Sequence, residues 1–357
     1  MRRSVFTAIV LVLLATRLGW AQQLPDSLVS SVSFYVEEDL FLVTGNNQDR
    51  HYTGGVGIQL SGRIAAPFTR PLSVLDALSG MRLRHRSGID AGSSITVFGT
   101  GFTPDSLNTP DPLPQDRPYA SLVGLSARTT SLDMRRTSAW TSELTVALLG
   151  THVVHNAQAA VHRLTRKWNG KATPYDPEGW SNQISEGGEL TAMYAVQYER
   201  LLSQEPTGAP HRYDASAGLS AAVGYYTNVG GHVTTRLGII RTPFYQFRSN
   251  PMGQANQAGL GWLERKPIDL FVFGTLRPRF VLYNALLQGQ FRDSRVTVPS
   301  SSVRNVVTEF ETGVSAGVMT PGFGAKLTWV VLAGRTPEFA GPNERTHTWS
   351  SVFLTIQ

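Results

Sequence analysis

The sequence predicts an all-β chain closed into a transmembrane antiparallel β-barrel of about 12 strands. Three observations predict it. Segments of about ten residues alternate apolar and polar side chains between turn-rich stretches, which is the signature of strands with one face in lipid. Cysteine is absent from all 357 residues, so an exported chain would draw its stability from a closed hydrogen-bonded sheet and not from cross-links. No window of the mature sequence holds the roughly 18 apolar residues of a membrane helix.

Taken in order, Met1-Arg2-Arg3, the apolar run Val5 to Ala15 and Gly19-Trp20-Ala21 read as a signal peptide over residues 1–21. The mature chain, 22–357, is then a single barrel domain with an insertion near 151–187. In the first strand Val32, Phe34 and Val36 face one way and Ser31, Ser33, Tyr35 and Glu37 the other. In the second, Val56, Ile58 and Leu60 oppose Thr53, Gly55, Gly57 and Gln59. The pattern returns near 93–102, 119–128 and 141–150. After the insertion, Leu190, Tyr194, Val196 and Tyr198 oppose Glu189, Thr191, Gln197 and Glu199, and the next strand, 213–225, sets Leu219 and Val223 against Asp214, Ser216 and Ser220. That second face is too polar and too small for a tight soluble core. Further strands fall near 232–240, 268–288, 306–318, 325–336 and 346–357. An even count places both termini on the periplasmic side. Tyr52, Tyr119, Tyr198, Tyr225, Trp329 and Trp349, near segment ends, fit interfacial girdles. Polar insertions at 62–92, 103–117 and 241–266 are expected to be extracellular loops.

Residues 155–183 break the pattern. From Asn156, a plausible helix cap, Val161, Leu164 and Trp168 recur at helical spacing with His162 beside them. Arg163, Arg166, Lys167 and Lys171 follow. The formal charge of +6, in an exported protein, points to anionic lipid or lipopolysaccharide and away from nucleic acid.

Four constellations could carry chemistry. Glu37-Glu38-Asp39 is a run of repelling carboxylates that a calcium ion would relieve; its bland reading is a solvated strand end. His51-Tyr52-Thr53-Gly54-Gly55 is either a polar turn or a set of groups brought beside those carboxylates by a hairpin. Asp116-Arg117-Pro118-Tyr119-Ala120 offers an arginine that is either a structural ion pair or a clamp for an anionic substrate. His162, structural or catalytic, is the best general base for activating water near neutral pH.

Together these places resemble the lipid A 3′-O-deacylase family of outer-membrane barrels, the LpxR type. The resemblance is carried by Glu38-Asp39-Leu40-Phe41, by Tyr52-Thr53-Gly54-Gly55 and by Asp116 to Ala120. It continues through Gln158, Val161, His162, Arg163 and Leu164, through Gly179, Trp180, Asn182 and Gln183, and through Asn284, Leu287 and Gly289. It implies a monomeric enzyme that hydrolyses the 3′ acyloxyacyl ester of lipid A at the outer leaflet in a calcium-dependent reaction. His162 would activate water, Thr53 would act with it, and Glu38 and Asp39 would hold the metal. Asp116, Arg117, Gln158, Arg163 and Lys171 would meet the lipid A headgroup. Glu38 stands where the family commonly has Asn, Ala159 where it often has Asn, and Pro114-Gln115 where some members have lysine. The rival readings are a non-enzymatic porin, which needs a wide polar lumen, and a soluble glycan-binding sandwich, which shares the alternation.

Overall fold

The computed structural model describes residues 28–38, 52–133, 135–169, 177–203, 211–247, 268–320 and 323–357, with the backbone alone for 164–169. The proposed signal peptide lies outside the described residues. Twelve strands form one closed antiparallel barrel in sequence order. They are β1 (Ser31–Glu38), β2 (Gly54–Ser61), β3 (Ile89–Phe102), β4 (Ala120–Leu132), β5 (Ser138–Leu149), β6 (Glu189–Leu201), β7 (His211–Gly224), β8 (Tyr226–Ile240), β9 (Ile268–Asn284), β10 (Val306–Thr320), β11 (Phe323–Arg335) and β12 (His347–Ile356). Pairing of β1 with β12, Val32 opposite Ile356 and Glu38 opposite Ser350, closes the cylinder. Closure satisfies every strand edge, which a bilayer demands. Because β1 starts and β12 finishes at one end, that end is called the terminal end, and the opposite rim the far end.

The predicted alternation sets the register. Ser33, Tyr35 and Glu37 are buried and oppose Gln59, Gly57 and Gly55 across β1 and β2, so the polar set points into the lumen. Val56, Ile58, Leu219, Val223, Leu270, Val272 and Leu276 are exposed on the outside. A slip of one residue would reverse the two sets, putting carboxylates in lipid.

Among the described residues the lumen is filled. Arg236 donates to both carboxylate oxygens of Asp214 at 2.8 and 2.5 Å, Arg277 pairs with Glu311 at 2.7 Å and Arg279 with Glu309 at 3.2 Å. Pairing is what makes these buried charges tolerable. After β8 the chain turns back inside: Arg236 donates to the Thr242 carbonyl at 2.8 Å, and the Phe247 ring packs 5.1 and 4.8 Å from those of Phe271 and Phe273. A cavity of about 100 Å³ lies among Glu143, Glu199, His232 and Arg277, room for a few waters.

Several expectations are corrected. The insertions at 62–92 and 241–266 leave from the terminal end, and only 103–117 lies at the far end. The first of them is not a polar loop. It contains α1 (Ala66–Leu78) and α2 (Met81–Ser87), in which Leu72 and Met81 are buried. The inserted helix, α3 (His152–Asn169), begins four residues before Asn156, because Gly150 at φ 79° turns the chain out of β5. Its buried face carries Gln158, Ala159 and His162, while Val161 is exposed. Tyr52, Tyr119, Tyr225 and Trp349 are buried within the protein and belong to no girdle. Tyr198 and Trp329 are half-buried, and the Tyr198 ring lies 4.8 Å from that of Trp140 on the neighbouring strand.

Candidate active site at the far rim

The candidate site lies where β1 and β3 finish and β2 and β4 begin. Thr53, buried just before β2, donates its backbone N–H to the Gly101 carbonyl at 3.0 Å, and its Oγ1 is 2.8 Å from Thr103 Oγ1. The start of β2 is thereby fixed to the finish of β3. Gly54 has φ 152°, and a Cβ there would come 2.7 Å from the Glu37 carbonyl and 3.1 Å from Glu38 Oε1. Only glycine fits so close a backbone approach. The Glu38 carboxylate therefore lies against the first residue of β2.

Glu37 is committed elsewhere. It is fully buried, it accepts from the Tyr52 hydroxyl on Oε2, and Ser351 Oγ donates to Oε1 at 3.3 Å. Asp39, His51 and Lys171 lie outside the described residues. Among the described residues no three His, Asp or Glu side chains gather as a metal site would require. The groups flanking Gly54 are oxygen donors, the ligand type calcium takes.

Asp116 and Arg117 are both held by protein partners. Asp116 is buried and accepts the backbone N–H groups of Asp105 and Arg117 at 2.9 and 2.7 Å, closing the loop. Arg117 is buried too, its Nη1 donating to Glu338 Oε2 at 2.5 Å and its guanidinium lying 4.3 Å over the Phe102 ring. Arg117 makes the ion pair through Nη1 alone, and its Nε and Nη2 are buried with no hydrogen-bond partner among the described residues. Glu338, which no sequence motif marks, also accepts from Arg335 Nη1 at 3.0 Å and from Asn284 Nδ2 at 3.3 Å. Burial pushes its carboxyl up, but the guanidinium groups of Arg117 and Arg335 and the nearby His347 outweigh that and hold it well below the usual carboxylate range.

The helix α3 is clasped to the barrel's outer wall. Thr100 and Phe102 are buried in the barrel, so Gly101 between them faces outward, and a Cβ there would strike the Val154 side chain at 2.4 Å. Trp180, in the short turn Glu178–Asn182, is buried and donates from Nε1 to Gln158 Oε1 at 2.8 Å. Its ring stacks on His155 at 5.9 Å and tilts against Tyr119 at 4.9 Å. Gly179 lets it, since a Cβ would meet the Tyr119 ring at 2.5 Å. Asn182 donates to the Pro110 carbonyl at 2.7 Å, and Ser121 donates to Gln183 Oε1 at 2.9 Å. His162 is one turn beyond Gln158 on the same face, 8% exposed, and Arg163 beside it is exposed. Gln158 is thus a clasp residue, and the arginine next to the histidine is free to meet solvent. In the Asn284–Gly289 motif, the Asn284 side chain accepts from Leu286 N at 3.0 Å to cap α4 (Ala285–Gln288), Leu287 is fully buried and Gly289 takes φ 74°.

The family model described as outer membrane protein LpxR matches residues 5–357. No curated protein matches the chain. Among solved structures, LpxR from Salmonella typhimurium superposes with a TM-score of 0.66 at 18% identity, over 91% of this chain and 99% of that one. The KdgM porin, at 6% identity over 92% of this chain and 98% of that one, reaches a TM-score of 0.35. The beta domain of the Bordetella autotransporter BrkA, at 7% identity over 91% and 97%, reaches 0.37. A family match over nearly the whole length, on a closed barrel of 12 strands, leaves one conclusion: the chain belongs to the LpxR family of outer-membrane proteins.

Proposed function

We propose that this outer-membrane barrel is an esterase that removes the 3′ acyloxyacyl group of lipid A at the outer leaflet, with both termini in the periplasm. The observation that carries the reading is the position of His162. It sits on a helix held against the outside of β3 and β4 at the far rim, so its substrate arrives from the lipid side and not through the lumen. An acylated glycolipid in the outer leaflet would meet that face directly.

His162 takes a proton from water, the water oxygen attacks the ester carbonyl, and collapse of the tetrahedral adduct expels the sugar oxygen, which is protonated. The products are a carboxylic acid and a free hydroxyl, and no covalent enzyme intermediate is needed. Thr53, held by Thr103, fixes the rim against which the ester carbonyl lies. Glu38 and Asp39 would hold a calcium ion, which when bound supplies positive charge to the developing oxyanion. Arg163 and Lys171 are the cations we assign to the lipid A phosphates. Asp116, Arg117 and Gln158 build the site from behind.

The test is mass spectrometry of lipid A from cells expressing the wild type or His162→Ala, with and without calcium. Loss of an acyloxyacyl mass only with wild type and calcium supports the reading. Intact lipid A under every condition overturns it.

A further inference from the structure

The hairpin of α1 and α2 lies on the outside of the barrel, against the part of the wall that should be bare to lipid. Ser131, Ser142 and Tyr194 occupy outward positions on β4, β5 and β6, since their neighbours Thr130, Thr141, Glu143 and Met193 are the lumen-facing set. Acyl chains cannot satisfy such a strip. The hairpin does: Tyr194 OH donates to Asp76 Oδ1 at 2.8 Å and is 2.7 Å from Ser79 Oγ. The His85 ring nitrogens lie 2.9 Å from both Ser131 Oγ and Ser142 Oγ. The Arg84 guanidinium lies 5.0 Å over the Trp140 ring, which is on the outward face as well. By contrast Val229, Val233 and Leu237 on β8 and Leu270, Val272 and Leu276 on β9 are exposed apolar side chains.

The hairpin's other side is amphipathic. Phe68, Val74, Leu78 and Leu83 are exposed, Leu78 at 82% and Leu83 at 73%. Arg63, Arg70, Arg82, Arg84 and Arg86 are exposed among them, and Asp76, the one carboxylate in this stretch of sequence, is buried against the wall. No helix among the described residues is long and apolar enough to cross a membrane. An arginine-rich helix pair with exposed apolar side chains, continuous with a lipid-facing wall, has the composition of an interfacial element.

We propose that α1–α2 is a lipid-seated collar. It replaces acyl chains against the polar strip, presents Phe68, Val74, Leu78 and Leu83 to neighbouring lipid tails, and gathers anionic phospholipid phosphates on Arg70, Arg82, Arg84 and Arg86. Because the hairpin joins β2 to β3 at the terminal end, the lipid is that of the periplasmic leaflet, which rests on the orientation given under Proposed function. No part of the deacylation chemistry is required.

The chain has no cysteine, so a single labelling site can be introduced. Full-length Leu78→Cys, carrying an environment-sensitive fluorophore, is reconstituted into vesicles of phosphatidylcholine with phosphatidylglycerol. Arg135→Cys, in the exposed turn between β4 and β5 at the same end, is the reference. The probe at 78 is expected to be blue-shifted and quenched by lipids brominated on their chains, and the probe at 135 to be neither. In native mass spectrometry the wild type is expected to retain phosphatidylglycerol over phosphatidylcholine by at least about threefold, and R82Q/R84Q/R86Q to lose that preference. A water-like, unquenched probe at 78, or an unchanged preference in the triple variant, overturns the collar. The leaflet is read separately. The 135 site should react with an impermeant maleimide only in permeabilised cells, and reaction in intact cells overturns the periplasmic assignment alone.

Discussion

At the scale of single residues, the proposed function divides the motifs into groups that meet substrate and groups that hold them in place. Asp116, Arg117, Gln158 and Trp180 each bond a protein partner. His162 shares the buried face of α3 with Gln158, the exposed Arg163 stands beside it, and these two are the groups to which the proposed chemistry is assigned. Removing the histidine imidazole should lower deacylation by about 10²- to 10⁴-fold, the usual worth of general base catalysis, with the barrel folded as judged by its heat-modifiable mobility. The clasp can be tested without touching a reacting group. Gly179→Ala puts a methyl 2.5 Å from the buried Tyr119 ring, so Tyr119 or the turn carrying Trp180 must move. Activity should fall about 10- to 100-fold through misplacement of the helix, while unfolding in urea stays near wild type. A variant with full activity would show that the Trp180–Gln158 clasp does not position the site.

At the scale of elements, the barrel strands were legible because each alternates for about ten residues, and one lipid face is enough to fix strand and register. Two kinds of element were not. The α1–α2 hairpin interleaves Phe68, Leu72 and Leu75 with arginine and proline, so its helical spacing is diluted and its composition reads as loop. The loop 336–346 hides Glu338 beside Glu344, since two of its partners, Arg117 and Asn284, are 221 and 54 residues away. No local pattern encodes such a contact. Glu338 joins three of the far-rim connections, and its folded pKa lies below the ordinary 4.5. A depressed carboxylate contributes stability that is present above the unfolded value and lost as the pH falls through the folded one. The far-rim loops should therefore resist protease from neutral pH to well below 4.5 and loosen only in stronger acid. Glu338→Gln strands the Arg117 charge, which should cost roughly 3–5 kcal/mol and make the loops protease-sensitive already at pH 7. Equal resistance of both proteins at neutral pH would remove Glu338 from this role.

At the scale of the whole molecule, a closed barrel and a soluble sandwich share their alternation, and what separates them is the medium outside. Here the exposed side of β8 and β9 is a field of Val, Leu and Phe, whereas the charges are paired inside. In water that inversion would be an aggregating surface; in lipid it is the stable arrangement. Leu276, 51% exposed in the middle of β9 and opposite Val233, reports on the medium. An arginine there faces hydrocarbon, so Leu276→Arg should destabilise the barrel in lipid vesicles by roughly 2–4 kcal/mol in urea unfolding, with less penalty for an arginine placed nearer either rim. On a water-facing strand the same change stays within about 0.5 kcal/mol. A near-zero effect would mean that this wall does not face lipid, and the approach of an acylated glycolipid to His162 from the membrane side would lose its basis.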